Sequence, residues 1–153
     1  MNPRGAAAQT RLLGDIAEEL PQRVLCLTRL FRARTDLPVS RTEMAVLRAV
    51  LTRPQRITEL AAGEGVTQPA ITRVVNRLAE NSWVERGPDP EDGRAVMVKI
   101  TPHGQALYET VRVEYRALLH DEMAALGEAD IQTLDRAIDV LDELIGRLQE
   151  RDR

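Results

Sequence analysis

A chain of 153 residues, 43% apolar and 29% charged, is long enough to bury one ordinary core and too short for a multidomain enzyme. Aromatic residues make up only 3%, so Leu, Val, Ile and Ala must fill that core, which favours helices over a β-sandwich. The net charge of −3 is uneven, with +2 on residues 1–39, +1 on residues 40–101 and −6 on residues 102–153; a basic face can therefore coexist with an acidic total, because screening over about 8 Å makes local charge count most.

Residues 1–10 are small and polar, with no apolar stretch behind a basic start, and read as a flexible tail rather than a signal peptide. From Leu12 to about Arg34 the residues Leu13, Ile16, Leu20, Val24, Leu27 and Phe31 recur at helical spacing and predict an amphipathic helix. Pro21 interrupts the pattern, so either the helix kinks there or its regular part begins there. Thr35-Asp36-Leu37-Pro38-Val39 reads as a linker. Ser40 or Thr42 can cap the next helix, with Glu43 in its first turn and Met44, Leu47, Val50 and Leu51 as its buried stripe, until Arg53-Pro54 stops it. Thr58 then caps a short helix over residues 59–63, and Glu64-Gly65-Val66 forms a turn. Thr67 begins another helix, with Pro69 in its first turn and Ile71, Val74, Val75 and Leu78 inward, ending near Asn81.

The pattern changes at Trp83. Residues 83–86 and 95–100 are short β-prone runs on either side of the turn-rich segment 87–93, which predicts a β-hairpin with Val96, Val98 and Ile100 on one face. Thr101-Pro102 opens a long helix to about Leu126, with Leu107, Val111, Leu118 and Leu119 inward, and Gly127 breaks it. The last helix, about 128–149, carries apolar residues at 131, 134, 138, 141, 145 and 148, the spacing of a coiled-coil seam. Such a seam, in a chain whose other helices already bury a small core, has apolar surface for a partner copy to cover. Packing of the seam inside one chain is the plainer alternative. The fold class that emerges is mostly α with a small β-hairpin wing.

Two short helices joined by a glycine-containing turn, Thr58–Asn81, have the layout of a helix-turn-helix, whose second helix enters the major groove of double-stranded DNA. With its apolar side turned inward, that helix leaves Thr67, Gln68, Ala70, Thr72, Arg73, Asn76 and Arg77 toward solvent. Gln68 suits adenine, Arg73 suits guanine and Ala70 suits a thymine methyl, each good bidentate contact contributing about 1–3 kcal/mol of discrimination. In the hairpin, Asp92-Gly93-Arg94 offers an arginine suited to a minor groove, with a carboxylate two residues away to orient it. An exposed turn with an incidental ion pair is the bland reading of that pair.

Several segments together resemble the MarR family of winged helix-turn-helix transcriptional regulators. They are Glu59-Leu60-Ala61, then Val66 through Leu78 with Thr67, Gln68, Pro69 and Ala70 at its start, then Asp89-Pro90-Glu91-Asp92-Gly93-Arg94, then Ile100-Thr101-Pro102-His103-Gly104. The resemblance is collinear over roughly residues 11–149. It implies a homodimer with interlocking terminal helices, two winged lobes on one palindromic operator, and release by a small aromatic effector or by thiol oxidation. It also assigns the recognition helix to 67–81 and the wing arginine to Arg94. The chain then divides into a tail (1–10), an N-terminal dimerisation helix with its linker (11–39), a winged lobe (40–101) and C-terminal dimerisation helices (102–153). Two positions depart from the family pattern: Asn81-Ser82-Trp83, where such proteins commonly have a glycine before an aliphatic residue, and Pro21.

Other chemistry has little to stand on. With His103, His120 and one cysteine there is no metal site of usual spacing, no Gly-rich phosphate loop and no G-x-S-x-G elbow, so neither a cofactor nor an enzyme is expected. Cys26 cannot form an intramolecular disulfide and reads first as a buried small hydrophobe, with a redox switch as the alternative. No run of about 18 apolar residues exists to span a bilayer, so a soluble, cytoplasmic protein is expected. Trp83 reads as a core residue beside the wing rather than a ligand stacker. The rival functional reading is a winged-helix adaptor that binds protein and not DNA.

Overall fold

The computed structural model describes residues 3–35 and 37–151, with side chains from residue 8 onward. Residues 1 and 2 of the expected tail, Asp36 of the expected linker and residues 152–153 lie outside the described residues. The chain divides into two compact units, Met1–Tyr115 and Arg116–Arg153.

The first unit opens with α1 (Pro3–Arg34), a helix that contains Pro21. Residues 3–10 are thus helical rather than a tail, in keeping with a proline in the first turn and the strong helix formers Ala6, Ala7 and Ala8 behind it. Its expected inward stripe is largely exposed in the single chain: Leu13, Ile16, Val24 and Leu27 all face solvent, while Phe31 stacks on Tyr115 with ring centroids 5.3 Å apart. Next, α2 (Arg41–Ala49) is capped by Ser40, whose Oγ accepts from Glu43 N while the Glu43 carboxylate accepts from Ser40 N at 2.6 Å.

A two-residue strand, β1 (Gln55–Arg56), leads into α3 (Ile57–Gly63). The cap of α3 is Arg56 rather than Thr58, because the Glu59 carboxylate reaches back to accept from Arg56 N and so fixes the helix start two residues earlier than expected. Gly65 has φ +61, and the bonds from Gly65 N to Ala62 O and from Val66 N to Ala61 O close a Schellman turn that glycine enters without Cβ strain. Then α4 (Gln68–Glu80) buries Ile71, Val75 and Leu78, while Val74 packs at the core margin.

The same turn recurs after α4 with a serine in the glycine's place. Ser82 adopts φ 60, Ser82 N donates to Ala79 O, and Trp83 N donates to Leu78 O. The residues that depart from the family's usual glycine therefore keep the turn's geometry. Behind it lie β2 (Val84–Pro88) and β3 (Val96–Ile100), and β1 pairs with the far edge of β3, so the expected hairpin is a three-stranded antiparallel sheet in the order β1-β3-β2. Val46, Leu47, Leu60, Ile71, Val75, Leu78, Trp83 and Val98 form the core where α2, α3, α4 and the sheet meet. Finally, α5 (Pro102–Met123) starts against that core with Leu107 and Tyr108.

In the second unit, α6 (Glu128–Arg151) begins after Gly127, whose carbonyl accepts from Asp130 N and Ile131 N. None of its residues is buried, and the seam residues Ile131, Leu134, Ile138, Ile145 and Leu148 are 39–60% exposed.

Candidate nucleic-acid interface

The polar face of α4 follows from its buried one. Because Ile71, Val75 and Leu78 are drawn into the core, Thr67, Gln68, Pro69, Arg73 and Arg77 stand exposed, with Ala70, Thr72 and Asn76 half-buried at the margins. Pro69 is tolerated because the first-turn N–H groups of a helix have no intrahelical acceptor. Thr72 bonds its hydroxyl to Gln68 O at 2.7 Å, and Arg73 Nε donates to Pro69 O at 3.4 Å, so both side chains lie back along the helix toward its start.

Two of the expected readers hold partners on other elements of the fold. Arg77 Nε lies 3.1 Å from Glu43 Oε1, and Glu43 is buried, so this arginine bolts α4 to the capped start of α2. Its remaining donors stay on an exposed guanidinium. The Asn76 side-chain oxygen accepts from Arg86 of β2.

The wing is organised by Asp89, which is buried. Its carboxylate accepts from Glu91 N at 2.8 Å, from Asp92 N at 3.4 Å and from Arg56 Nε at 2.5 Å. The Glu91 N–H holds the Asp89 carboxyl below the ordinary carboxylate range and the Arg56 guanidinium adds to this, against partial desolvation that pushes the other way. Arg56 is correspondingly raised, chiefly by its bond to Asp89. Asp92 does not orient the Arg94 guanidinium as expected. Its Oδ1 instead accepts from the Arg94 backbone N–H at 3.0 Å, because a carboxylate two residues upstream reaches the main chain of a tight turn more easily than a long side chain.

The two halves of the expected site come together. Gln68 at the start of α4 and Asp92 and Arg94 of the wing line one cleft, with Arg56 and Thr58 also lining it. Sequence reasoning missed Arg56, Arg86 and the burial of Glu43. The Ser40-x-x-Glu43 spacing carried a signal for the capping box, whereas the pairing of Arg56 with Asp89 spans 33 residues and leaves no local trace. Cys26, expected to be buried, is exposed on α1, with Arg29 Nη2 at 3.9 Å from its sulfur. Among the described residues no cluster of His, Cys, Asp or Glu could hold a metal ion, and no helix is long and apolar enough to cross a membrane.

Comparison with known proteins gives this geometry its context. The MarR family model matches residues 39–96, which hold α2 through the start of β3. An uncharacterised HTH-type transcriptional regulator of Mycobacterium bovis is 32% identical over 133 residues, covering 85% of this chain and 92% of its own length. The multiple antibiotic resistance protein MarR of Salmonella typhimurium is 40% identical over 67 residues, 43% of this chain and 46% of its own. Among solved structures, the apo form of wild-type MarR from Escherichia coli superposes with a TM-score of 0.69 at 27% identity, covering 84% of this chain and 95% of that one. The regulator BldR of Sulfolobus solfataricus shares the fold, with a TM-score of 0.65 at 23% identity over 96% of this chain and 99% of its own. The Mycobacterium bovis and Sulfolobus solfataricus proteins are named as transcriptional regulators. On a near full-length match to such a regulator and a family model lying over the winged lobe, this chain belongs to the MarR family of DNA-binding, winged helix-turn-helix transcriptional regulators.

Proposed function

We propose that this regulator is a cytoplasmic homodimer that represses transcription from a palindromic operator until a small aromatic effector or an oxidant releases it. The observation that carries the reading is the single cleft shared by Gln68 of the recognition helix and Arg94 of the wing. In this reading Thr67, Gln68, Pro69, Ala70, Thr72, Arg73, Asn76 and Arg77 meet the major groove, and Asp92 holds the turn that carries Arg94 into the adjacent minor groove. The exposed apolar residues along α1 and α6 support a second copy, since surfaces of this kind mark sites of association. A relative from Pseudomonas putida, 33% identical over 85 residues and matched over 51% of its length, is named a transcriptional repressor, which supports the sign of regulation.

The release step has two candidate inputs. A crevice lined by Leu25, Thr28, Arg29, Arg32, Ala33 and Arg41 offers apolar walls and guanidinium donors of the kind a small aromatic acid needs. Oxidation would act on the exposed Cys26. Peroxide should then weaken operator binding by the wild type and leave Cys26→Ser unaffected; equal sensitivity of the two proteins would remove the oxidative input.

The testing experiment is fluorescence anisotropy on duplex from upstream of the protein's own gene across a salt series. Arg73→Ala should blur sequence preference, and Arg94→Ala should weaken binding and reduce the salt slope by about 1. Failure to bind any duplex, after a search of random sequences, would favour the protein-binding adaptor.

A further inference from the structure

We propose that Arg86 is a specificity-determining residue which, by holding the side-chain oxygen of Asn76, makes that position of the recognition helix select guanine over adenine. The inference rests on the DNA-binding role of α4. Asn76 lies one turn beyond Thr72 and Arg73 on the same face of α4, in line with the expected readers. Arg86 stands on β2 opposite Val98 and donates to Asn76 Oδ1.

A guanidinium has only donors, so the contact fixes the amide: the oxygen turns toward Arg86, and the NH2 group is left to face outward. Free asparagine reads adenine by donating to N7 and accepting from N6–H at once. Here the accepting oxygen is engaged by a cation, and an approaching adenine amino group would meet the donor hydrogens of Arg86 beside it. The Asn76 oxygen keeps a second lone pair, but the cationic donors of Arg86 beside it oppose a further N–H, so the Asn76–Arg86 pair presents mainly donors. Guanine offers two acceptors on its major-groove edge, N7 and O6, and suits such a pair.

The test is selection from a random duplex library by the wild type, Asn76→Ala, Arg86→Ala and Arg86→Lys, with thermal melting to verify that each variant folds. Comparison of the wild type with Asn76→Ala identifies the base pair that Asn76 reads. At that pair the wild type should favour guanine over adenine by about 5- to 100-fold. Arg86→Ala should collapse or invert the preference and Arg86→Lys, which keeps a cationic donor, should largely retain it. An adenine preference in the wild type, a preference unchanged in Arg86→Ala, or no position altered by Asn76→Ala would overturn the proposal. Arg86→Ala that only weakens all sequences equally, with a shallower salt dependence, would instead make Arg86 a phosphate contact and overturn it too. Absence of sequence selection by the wild type would strike the DNA-binding reading itself, and this inference with it.

Discussion

Gly104 sits where the first turn of α5 crosses the backbone of Trp83, and a Cβ there would lie 1.9 Å from the Trp83 carbonyl oxygen and 2.8 Å from its carbon. Neither atom belongs to a flexible side chain, so Gly104→Ala should destabilise the protein by about 2–3 kcal/mol or more, measured by chemical denaturation. The same junction holds Thr101, whose hydroxyl donates to Ser82 O at 2.7 Å and accepts from Gly104 N at 3.0 Å, tying the turn after α4 to the cap of α5. Ser82 itself is in the left-handed region, so Ser82→Gly should raise stability by about 1 kcal/mol in the same assay. Neither fact is legible in the sequence: serine does not announce a positive φ, and only the fold brings residue 83 against residue 104. Pro69 and the spacing of Ile71, Val75 and Leu78, in contrast, announce α4 directly, because the information is local and periodic.

At the scale of elements, the wing is a lever whose fulcrum is Asp89. Its depressed titration means that the ionised carboxylate is favoured by the fold, so its contribution is fully present above the unfolded carboxyl value of about 4 and is lost as the pH falls through the lower folded value. The protection of the amides in residues 89–95, taken relative to their intrinsic exchange rates at each pH, should fall across that acid window, and Asp89→Asn should abolish this pH dependence of protection while leaving the wing loose at neutral pH. Protection that is equally strong in both proteins at every pH would show that the carboxylate does not order the wing. The strand β1 is the least legible element, since two residues carry no period and Gln55-Arg56 resembles a loop until β3 supplies its partner. The cap of α3 moved from Thr58 to Arg56 for a related reason: a carboxylate three residues downstream outcompetes a hydroxyl that sits inside the first turn.

For the whole molecule, the distribution of apolar surface matters more than its amount. The lobe around α2, α3, α4 and the sheet buries its large side chains, whereas α1 and α6 leave theirs open. In the proposed homodimer, Ile138→Arg combined with Ile145→Arg should therefore produce a monomer by sedimentation while the lobe remains folded. Loss of the second recognition helix should then cost about 100-fold or more in operator affinity. A double variant that still sediments as a dimer would place the association elsewhere. The period of the α6 seam was readable from the sequence, and the small core left to the other helices pointed to its exposure, whereas periodicity alone reports which residues share a face and not what covers it.

Trp83 is the only tryptophan in the chain, and it lies 8% exposed at the joint between the recognition helix and the wing. Its backbone ends the Schellman turn, while its carbonyl receives the Thr101 N–H at 3.1 Å. The protein thus carries a single indole, which can be excited apart from its two tyrosines, at the point where α4 and the sheet are joined. Without any label, its emission maximum and quenching report the integrity of that joint: a blue-shifted, shielded signal while the turn is closed, and a red-shifted, quenchable one when it opens.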